Sequence, residues 1–353
     1  MNILLCHNSY DSVSGETTFF NNMKTALEGS GNAVQVCAIR QSMGGIAGRF
    51  EYYSRYPLLS NASSQLRKFR DYDAVHFLNA ALAPAGKPIK KPKIATAHFF
   101  ADSYLELSPP SNPLSRLAES AFCGYVSMLD KQAFRELDVL VACTKYQEER
   151  LRERYGLENV RTIYTGVDLA HFQSVEKTNL SEGDENVIVY LGRLHERSKG
   201  VSYLIKAMDY LDNVRLLIIG DGPDRGKYEK MAAGKNIRFL GKLPWGEKCR
   251  MQKSADAVVM PSLYEVFGTV FAESLACEVP VVAFDMPFWK GLYDGAGIFV
   301  EKSPKALAEG IRIALDDEKT RKKVILRGKE YMKTYDLKRT ISDYLELYSE
   351  ILF

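Results

Sequence analysis

Residues 257–276 read AVVMPSLYEVFGTVFAESLA. Four consecutive apolar residues, Ala257-Val258-Val259-Met260, run into a turn at Pro261, a loop carrying Glu265, a second turn at Gly268 and a helical segment holding Glu273. An apolar strand without alternation, passing through a loop into a helix, is the repeating unit of a parallel sheet covered on both faces. Glu265 stands at the strand's carboxyl end, and Glu273 follows eight residues later, about a turn and a half into the helix. The free N–H groups at the helix start, around Gly268 and Thr269, form an anion site. On a polar face two glutamates at this spacing would be a solvated pair, but Glu265 comes directly after a buried strand.

The same alternation extends in both directions. Apolar runs at 2–6, 33–39, 73–78, 93–98, 138–143 and 160–164, then at 186–191, 214–219, 236–240, 257–260, 280–284 and 297–300, are separated by longer stretches of helical period. This pattern predicts an α/β chain of two Rossmann-like doubly wound parallel sheets. The polar stretch 173–186, with Ser174, Asn179, Ser181, Gly183 and Asp184, carries neither period and reads as a linker. The expected organisation is 1–172, linker 173–186, 187–336, and a terminal helix 337–353 packing back towards the first domain through Leu337, Ile341, Tyr344, Leu345, Tyr348 and Leu352. In such an architecture a cleft between the carboxyl edges of the sheets is the place for a ligand.

Composition narrows the function. The 353 residues carry 47 basic and 44 acidic side chains, a net charge of +3, too balanced to argue for nucleic acid, for which no recognition motif is present either. Six dispersed cysteines without CxxC spacing read as reduced core thiols. No basic n-region opens the chain and no run of about 18 apolar residues occurs, so a cytoplasmic location is expected. Between 40 and 93, however, ten basic residues face three acidic ones, interleaved with Phe50, Tyr52, Tyr53, Tyr56, Leu58 and Leu59. Such a region is either a solvated surface or one that meets an anionic membrane or phosphorylated carrier. Asp71-Tyr72-Asp73 has the look of a metal motif but lies at a strand's amino end, the wrong edge of the sheet, and the five histidines show no ligand spacing, so no metal or cofactor is expected. Gly220-Asp221-Gly222 lacks the third glycine of the dinucleotide fingerprint, which disfavours a dehydrogenase.

Glu265 and Glu273 in their context resemble the E-x7-E element of the retaining glycosyltransferases of family 4, which have the GT-B fold. Other segments are similar in the same order along nearly the whole chain: Ile163-Tyr164-Thr165-Gly166-Val167-Asp168 with Phe172, Gly192-Arg193-Leu194 followed by Lys199-Gly200, Gly220-Asp221-Gly222-Pro223, and Phe239-Leu240-Gly241. Thr96-Ala97-His98 with Asp102 resembles the family's T-x-H-[DE] element, and Ser14-Gly15-Glu16 retains the second glycine of its G-G turn. After Phe284 this chain departs from the pattern, with Asp285-Met286-Pro287-Phe288-Trp289-Lys290-Gly291 where many relatives carry a Gly-Gly turn.

The resemblance implies a metal-independent transferase that moves a sugar from a nucleoside diphosphate to a sugar, lipid-linked or other hydroxyl acceptor. By the same resemblance Arg193 and Lys199 meet the donor diphosphate, Gly15 lets backbone approach it, and Glu273 holds the ribose. Glu265 grips the sugar, residues Phe267, Gly268, Thr269 and Val270 close around sugar and phosphate, and His98 touches sugar or acceptor from the first domain. Uracil is favoured over the guanine of GDP-mannose, since the turn after Gly241 offers backbone around Leu243 and no carboxylate before Glu247. The competing readings are a nucleotide-sugar epimerase or phosphorylase on the same fold, and a non-catalytic sugar-nucleotide-binding protein.

Overall fold

The computed structural model describes residues 1–9, 15–40, 65–98 and 112–353. The chain divides into two compact units, one built from residues up to 165 together with Lys338–Phe353, the other from Gly166–Leu337. The boundary therefore falls earlier than the polar stretch 173–186, which belongs to the second unit. Its backbone and charges are tied down there: Thr178 N donates to Ser254 Oγ (2.8 Å), and Arg215 pairs with Glu182 (2.8 Å) and Glu185 (2.6 Å).

The first unit contains β1 (Asn2–Ser9), α1 (Gly15–Gly29), β2 (Ala33–Arg40), β3 (Ala74–Phe77), β4 (Lys93–Ala97), α2 (Pro113–Arg135), β5 (Val139–Ala142), α3 (Lys145–Tyr155) and β6 (Val160–Thr162). Its six strands are parallel in the order β2-β1-β3-β4-β5-β6. The absence of alternation in the strand sequences has the expected cause: Ile3 and Leu5 enter one buried cluster with Phe19, Met23 and Leu27 of α1, while Leu4 and Cys6 enter another with Phe134 of α2 and Leu151 of α3.

The second unit contains α4 (Leu169–Ser174), β7 (Asn186–Leu191), α5 (Glu196–Lys199), α6 (Val201–Ala207), β8 (Val214–Ile219), α7 (Arg225–Met231), β9 (Ile237–Gly241), α8 (Trp245–Ser254), β10 (Ala257–Met260), α9 (Thr269–Ala276), β11 (Val281–Phe284), β12 (Ile298–Val300), α10 (Pro304–Asp316) and α11 (Glu318–Thr334). Its sheet runs β12-β11-β10-β7-β8-β9, again all parallel. The strand order reverses between β7 and β10, and such a switch point opens a crevice at the carboxyl edge.

The terminal helix α12 (Leu337–Leu352) is part of the first unit. Its buried residues are Thr340, Tyr344, Leu347 and Tyr348, so the covered stripe is centred a little away from the one the apolar spacing suggested. The displacement follows polar chemistry. His76 on β3 is fully buried, and its Nδ1 meets the Tyr348 hydroxyl at 2.6 Å while its Nε2 meets Thr96 Oγ1 at 2.8 Å; Thr96 Oγ1 also meets the Tyr344 hydroxyl at 2.9 Å. Thr340 Oγ1 donates to Tyr164 O (2.9 Å). The helix is thus fixed by hydrogen bonds that the buried histidine needs as much as the tyrosines do.

Burial, with a smaller effect of His98, pushes the His76 pKa down to about 3. A base whose folded pKa lies below its unfolded value costs nothing above the unfolded pKa near 6.5 and costs progressively more as pH falls below it, because only the unfolded chain takes up the proton. Between pH 7 and pH 5 this should remove about 2 kcal/mol of stability. In urea titrations at the two pH values, His76→Gln should be less stable than wild type at pH 7 but lose clearly less on acidification; equal losses would show that His76 does not carry the effect.

Candidate functional site

The carboxyl edge of the second sheet is assembled by close approaches that need glycine. Gly220, after β8, has φ +135°, and a Cβ there would fall on the Gly192 carbonyl oxygen beyond β7. A Cβ on Gly222 would likewise meet Leu194 O. Gly200 has φ +56°, closes α5 as its left-handed cap, and sits where a Cβ would lie 2.5 Å from Pro261 O beyond β10. These three positions let the loops after β7, β8 and β10 touch through backbone alone. Leu194 N donates to Asp221 O (3.0 Å), and the N–H groups of Leu263 and Tyr264 both donate to Ser198 O (2.9 and 3.1 Å).

On this frame Lys199, from the loop after β7, donates directly to Oε1 of Glu265, from the loop after β10. The same oxygen accepts from the buried hydroxyl of Ser262 at 2.8 Å. The pair spans the switch point, and both side chains are largely withdrawn from solvent, Lys199 at 24% and Glu265 at 12% exposure. Arg193 is exposed on the same loop, with its carbonyl accepting from the Tyr190 hydroxyl at 2.9 Å. Glu196 anchors that loop from below: its carboxylate accepts from Ser202 Oγ (2.5 Å) and the Tyr228 hydroxyl (2.7 Å), while its N–H donates to Asp224 Oδ2 (2.7 Å). The long interval between Arg193 and Lys199 is taken up by the single turn of α5.

Gly268, at φ +69°, caps α9, and its carbonyl receives the first helical bonds, from Phe271 N and Ala272 N. The N–H groups of Thr269 and Val270 precede those bonds and remain donors. Beneath Gly268 lies the departure from the family pattern: the 3-10 turn Pro287–Trp289 puts the Trp289 indole where a Gly268 Cβ would be 2.6 Å away. Tyr293 stacks on Phe271 (4.3 Å, 4°) and donates to Phe267 O at 2.9 Å. Burial pushes the Tyr293 hydroxyl far up, with further contributions from Tyr335, Glu265 and Glu273, so both glutamates act on one phenol that stays a donor. Burial followed by Glu265 and Glu196 does the same to Tyr190. His195 is shifted the other way, by burial and then by Arg193, and its ring is held neutral with Nδ1 2.9 Å from Ser198 Oγ.

Glu273 is buried on α9, where both its oxygens accept from Lys248 Nζ of α8 (3.1 and 2.9 Å). Leu243 is half-buried in the turn between β9 and α8. Arg193, Lys199, Leu243, Glu265, Phe267, Gly268, Thr269, Val270 and Glu273 therefore all belong to the carboxyl-edge loops and helix starts of the second unit. Gly15 and His98 belong to the first unit. Gly15 opens α1 beyond β1, and His98 follows β4, with Nδ1 3.4 Å from Cys143 Sγ and Phe19 edge-on at 5.1 Å. Ser262, Lys248 and Tyr293 escaped sequence reading. Only Trp245 and Lys248, three apart on one helical face, left a local signal.

Asp71-Tyr72-Asp73 lies before β3, with Asp73 Oδ2 accepting from Asn2 N (2.7 Å). Of the basic region 40–93 that was expected to meet an anionic surface, residues 41–64, with Arg49, Arg55 and the aromatics from Phe50 to Tyr56, fall outside the described residues, while Arg67, Lys68, Arg70, Lys87, Lys90 and Lys91 are described and exposed or partly exposed. No helix among the described residues is long and apolar enough to cross a membrane.

Two family models cover the chain: one described as Glycosyltransferase Family 4 matches residues 13–171, and one described as Glycosyl transferases group 1 matches residues 172–331. The chain is 28% identical over 250 residues to a phosphatidyl-myo-inositol mannosyltransferase of Mycobacterium tuberculosis, covering 67% of this chain and 64% of that protein. It is 32% identical over 193 residues to an uncharacterized glycosyltransferase of Methanocaldococcus jannaschii, covering 49% of each. The chain thus spans about half to two thirds of these curated relatives. Among solved structures, sucrose-phosphate synthase from Thermosynechococcus elongatus superposes with a TM-score of 0.80 at 19% identity over 99% of this chain and 98% of that one. Anabaena HepE in complex with UDP and glucose does so with 0.74 at 18% identity, over 99% and 100%. These likenesses establish a two-domain GT-B fold.

The glycine contacts make a sharp thermal-stability prediction. Gly220→Ala should destabilise by about 3 kcal/mol or more, since a backbone oxygen cannot step aside as a side chain can. Gly226→Ala, inside α7 with nothing within 4 Å of its Cβ, should stabilise by about 0.5–1 kcal/mol. Melting temperatures shifting in the same direction for both would contradict this frame.

Proposed function

The chain belongs to the family 4 glycosyltransferases, and on that premise we propose that it transfers a sugar from a nucleoside diphosphate to an acceptor hydroxyl with retention at the anomeric carbon and without a divalent ion. The observation that carries the proposal is the Lys199–Glu265 contact across the β7/β10 switch point. As the nucleoside diphosphate departs, negative charge grows on its β-phosphate. Lys199, Arg193 and the donor N–H groups of Thr269 and Val270 are fixed charges and dipoles suited to stabilise it. Lys199 donates to Glu265, so an arriving diphosphate would compete for the ammonium and release the carboxylate towards the sugar. Ser262 would keep it aimed. The freed carboxylate can grip a sugar hydroxyl and offset positive charge at the anomeric carbon. Glu265 has no covalent role in this scheme: the acceptor attacks from the face the diphosphate leaves, and a phosphate oxygen takes its proton.

Glu273 is proposed to receive the ribose hydroxyls, Leu243 backbone the uracil, Gly15 the approach of the phosphate, and His98 the sugar or acceptor. UDP is favoured because the turn after Gly241 carries no carboxylate before Glu247, and HepE, a structural neighbour, is described with UDP and glucose. The mannosyltransferase relatives, named for a phosphatidylinositol acceptor, support a role in glycolipid or polysaccharide synthesis. A lipid acceptor requires contact with a bilayer. The first unit offers support for one in α2, where Leu114, Leu117 and Met128 are 78%, 71% and 61% exposed and Arg116 and Arg135 are also exposed.

Glu265→Ala should lower transfer by about a thousandfold or more while changing nucleoside-diphosphate affinity by less than about fivefold. Arg193→Ala should weaken both, and equal affinity losses in the two variants would reverse these roles. The product anomer read by NMR should match the donor, and EDTA should leave the rate unchanged. In a separate measurement, Leu114→Gln with Leu117→Gln should reduce co-sedimentation with phosphatidylglycerol vesicles at least about tenfold; undiminished binding would remove α2 from the membrane reading.

A further inference from the structure

Glu273 is 3% exposed, and placing a carboxylate so far from water is costly unless a charged partner compensates it. The compensation comes from another helix. Lys248 Nζ, on α8, lies 3.1 and 2.9 Å from the two carboxylate oxygens and so holds both at once. Gln252, one turn further along α8, donates to Val270 O (3.0 Å) and Ser274 Oγ (2.8 Å), fastening α8 to α9 on either side of Glu273.

Lys248 is itself confined. Its ammonium lies 4.7 Å from the centre of the Trp245 ring, a cation–π contact that orients the stem. Trp245 Nε1 donates to His171 Nε2 at 3.1 Å, and the indole stacks on that imidazole (5.8 Å, 27°) and meets Phe172 edge-on. Lys253 Nζ donates to the carbonyls of Phe172 and Gln173 (2.7 and 3.1 Å). A sequence of fixed contacts therefore runs from residues 171–173 through the indole to the ammonium and ends on the carboxylate.

We propose that Lys248 is a positioning residue that holds the Glu273 carboxylate turned to accept the vicinal hydroxyls of the donor ribose, so that discrimination between ribose and its deoxy forms depends on Lys248. The inference rests on the reading that Glu273 meets the ribose. With one ammonium shared between both oxygens, each oxygen keeps a lone pair for one hydroxyl, the arrangement a 2′,3′-diol fits. Without the ammonium neither oxygen is held in place, and the carboxylate is free to turn its lone pairs away from the diol. A salt bridge of this kind contributes little to stability by itself.

Calorimetric titration of wild type, Lys248→Met, Lys248→Arg and Glu273→Gln with UDP and 2′,3′-dideoxy-UDP, and with the matching guanosine pair, tests this directly. In wild type the ribonucleotide should bind at least about thirtyfold more tightly than its dideoxy analogue. Lys248→Met should cut that ratio to about threefold or less with affinity for the dideoxy analogue kept, and Lys248→Arg should restore most of it. Loss of the ratio in Glu273→Gln but not in Lys248→Met overturns the role of Lys248 and leaves that of Glu273. An unchanged ratio in Glu273→Gln, or no nucleotide binding by wild type, overturns the ribose reading itself. Equal weakening of both nucleotides in Lys248→Met, with a lower melting temperature, makes the pair structural only and overturns the proposal.

Discussion

The ion pair between Lys199 and Glu265 is the contact on which the chemistry proposed for the second unit depends. It joins two loops that are 66 residues apart in sequence and become neighbours because the strand order reverses between β7 and β10. A cation and a carboxylate held together and shielded from water gain little net stability from each other, since both must be desolvated. Their value lies in what each can exchange. A diphosphate offers the ammonium more negative charge than one carboxylate does, and a carboxylate relieved of its ammonium seeks hydroxyl donors. In the proposed function the pair gives way to a substrate carrying phosphate and sugar together.

That contact is possible only because backbone meets backbone underneath it. Gly192 and Gly220, Leu194 and Gly222, and Gly200 and Pro261 approach at distances that exclude a Cβ, and Ser198 O accepts from two consecutive N–H groups of the facing loop. Gly268 repeats the device against an indole rather than a carbonyl. Rigid loops of this kind lower the cost of aligning charges at the moment the leaving group departs. The two tyrosines beneath, Tyr190 and Tyr293, add main-chain hydrogen bonds, and their burial next to carboxylates keeps them protonated.

Much of this was legible in the amino-acid order. Buried parallel strands show as unbroken apolar runs, so the twelve strands and the two sheets could be anticipated, and residues at the strands' carboxyl ends marked the edge that matters. Features set by contacts between distant segments were not legible. Lys248 reaches Glu273 from another helix 25 residues away, and the one local hint, Trp245 three residues before it, says nothing of the carboxylate it meets. The stretch 173–186 is polar and without period, yet Arg215 and Ser254 bind it to the second unit. On α12 the buried face includes Thr340, because its hydroxyl and those of Tyr344 and Tyr348 answer to Tyr164, Thr96 and His76. An apolar-stripe reading does not count such hydroxyls. The aromatic packing of Trp289 and Tyr293 under Gly268 was likewise invisible as chemistry, since the local sequence showed only a departure from the family turn.

A crystal structure of the protein with UDP bound is the most direct measurement of the central claim. The proposed arrangement predicts the β-phosphate within hydrogen-bond distance of Lys199 and Arg193, the ribose diol on Glu273, and Glu265 no longer bonded to Lys199. A diphosphate seated elsewhere, or a Lys199–Glu265 contact that persists with the nucleotide in place, would contradict it.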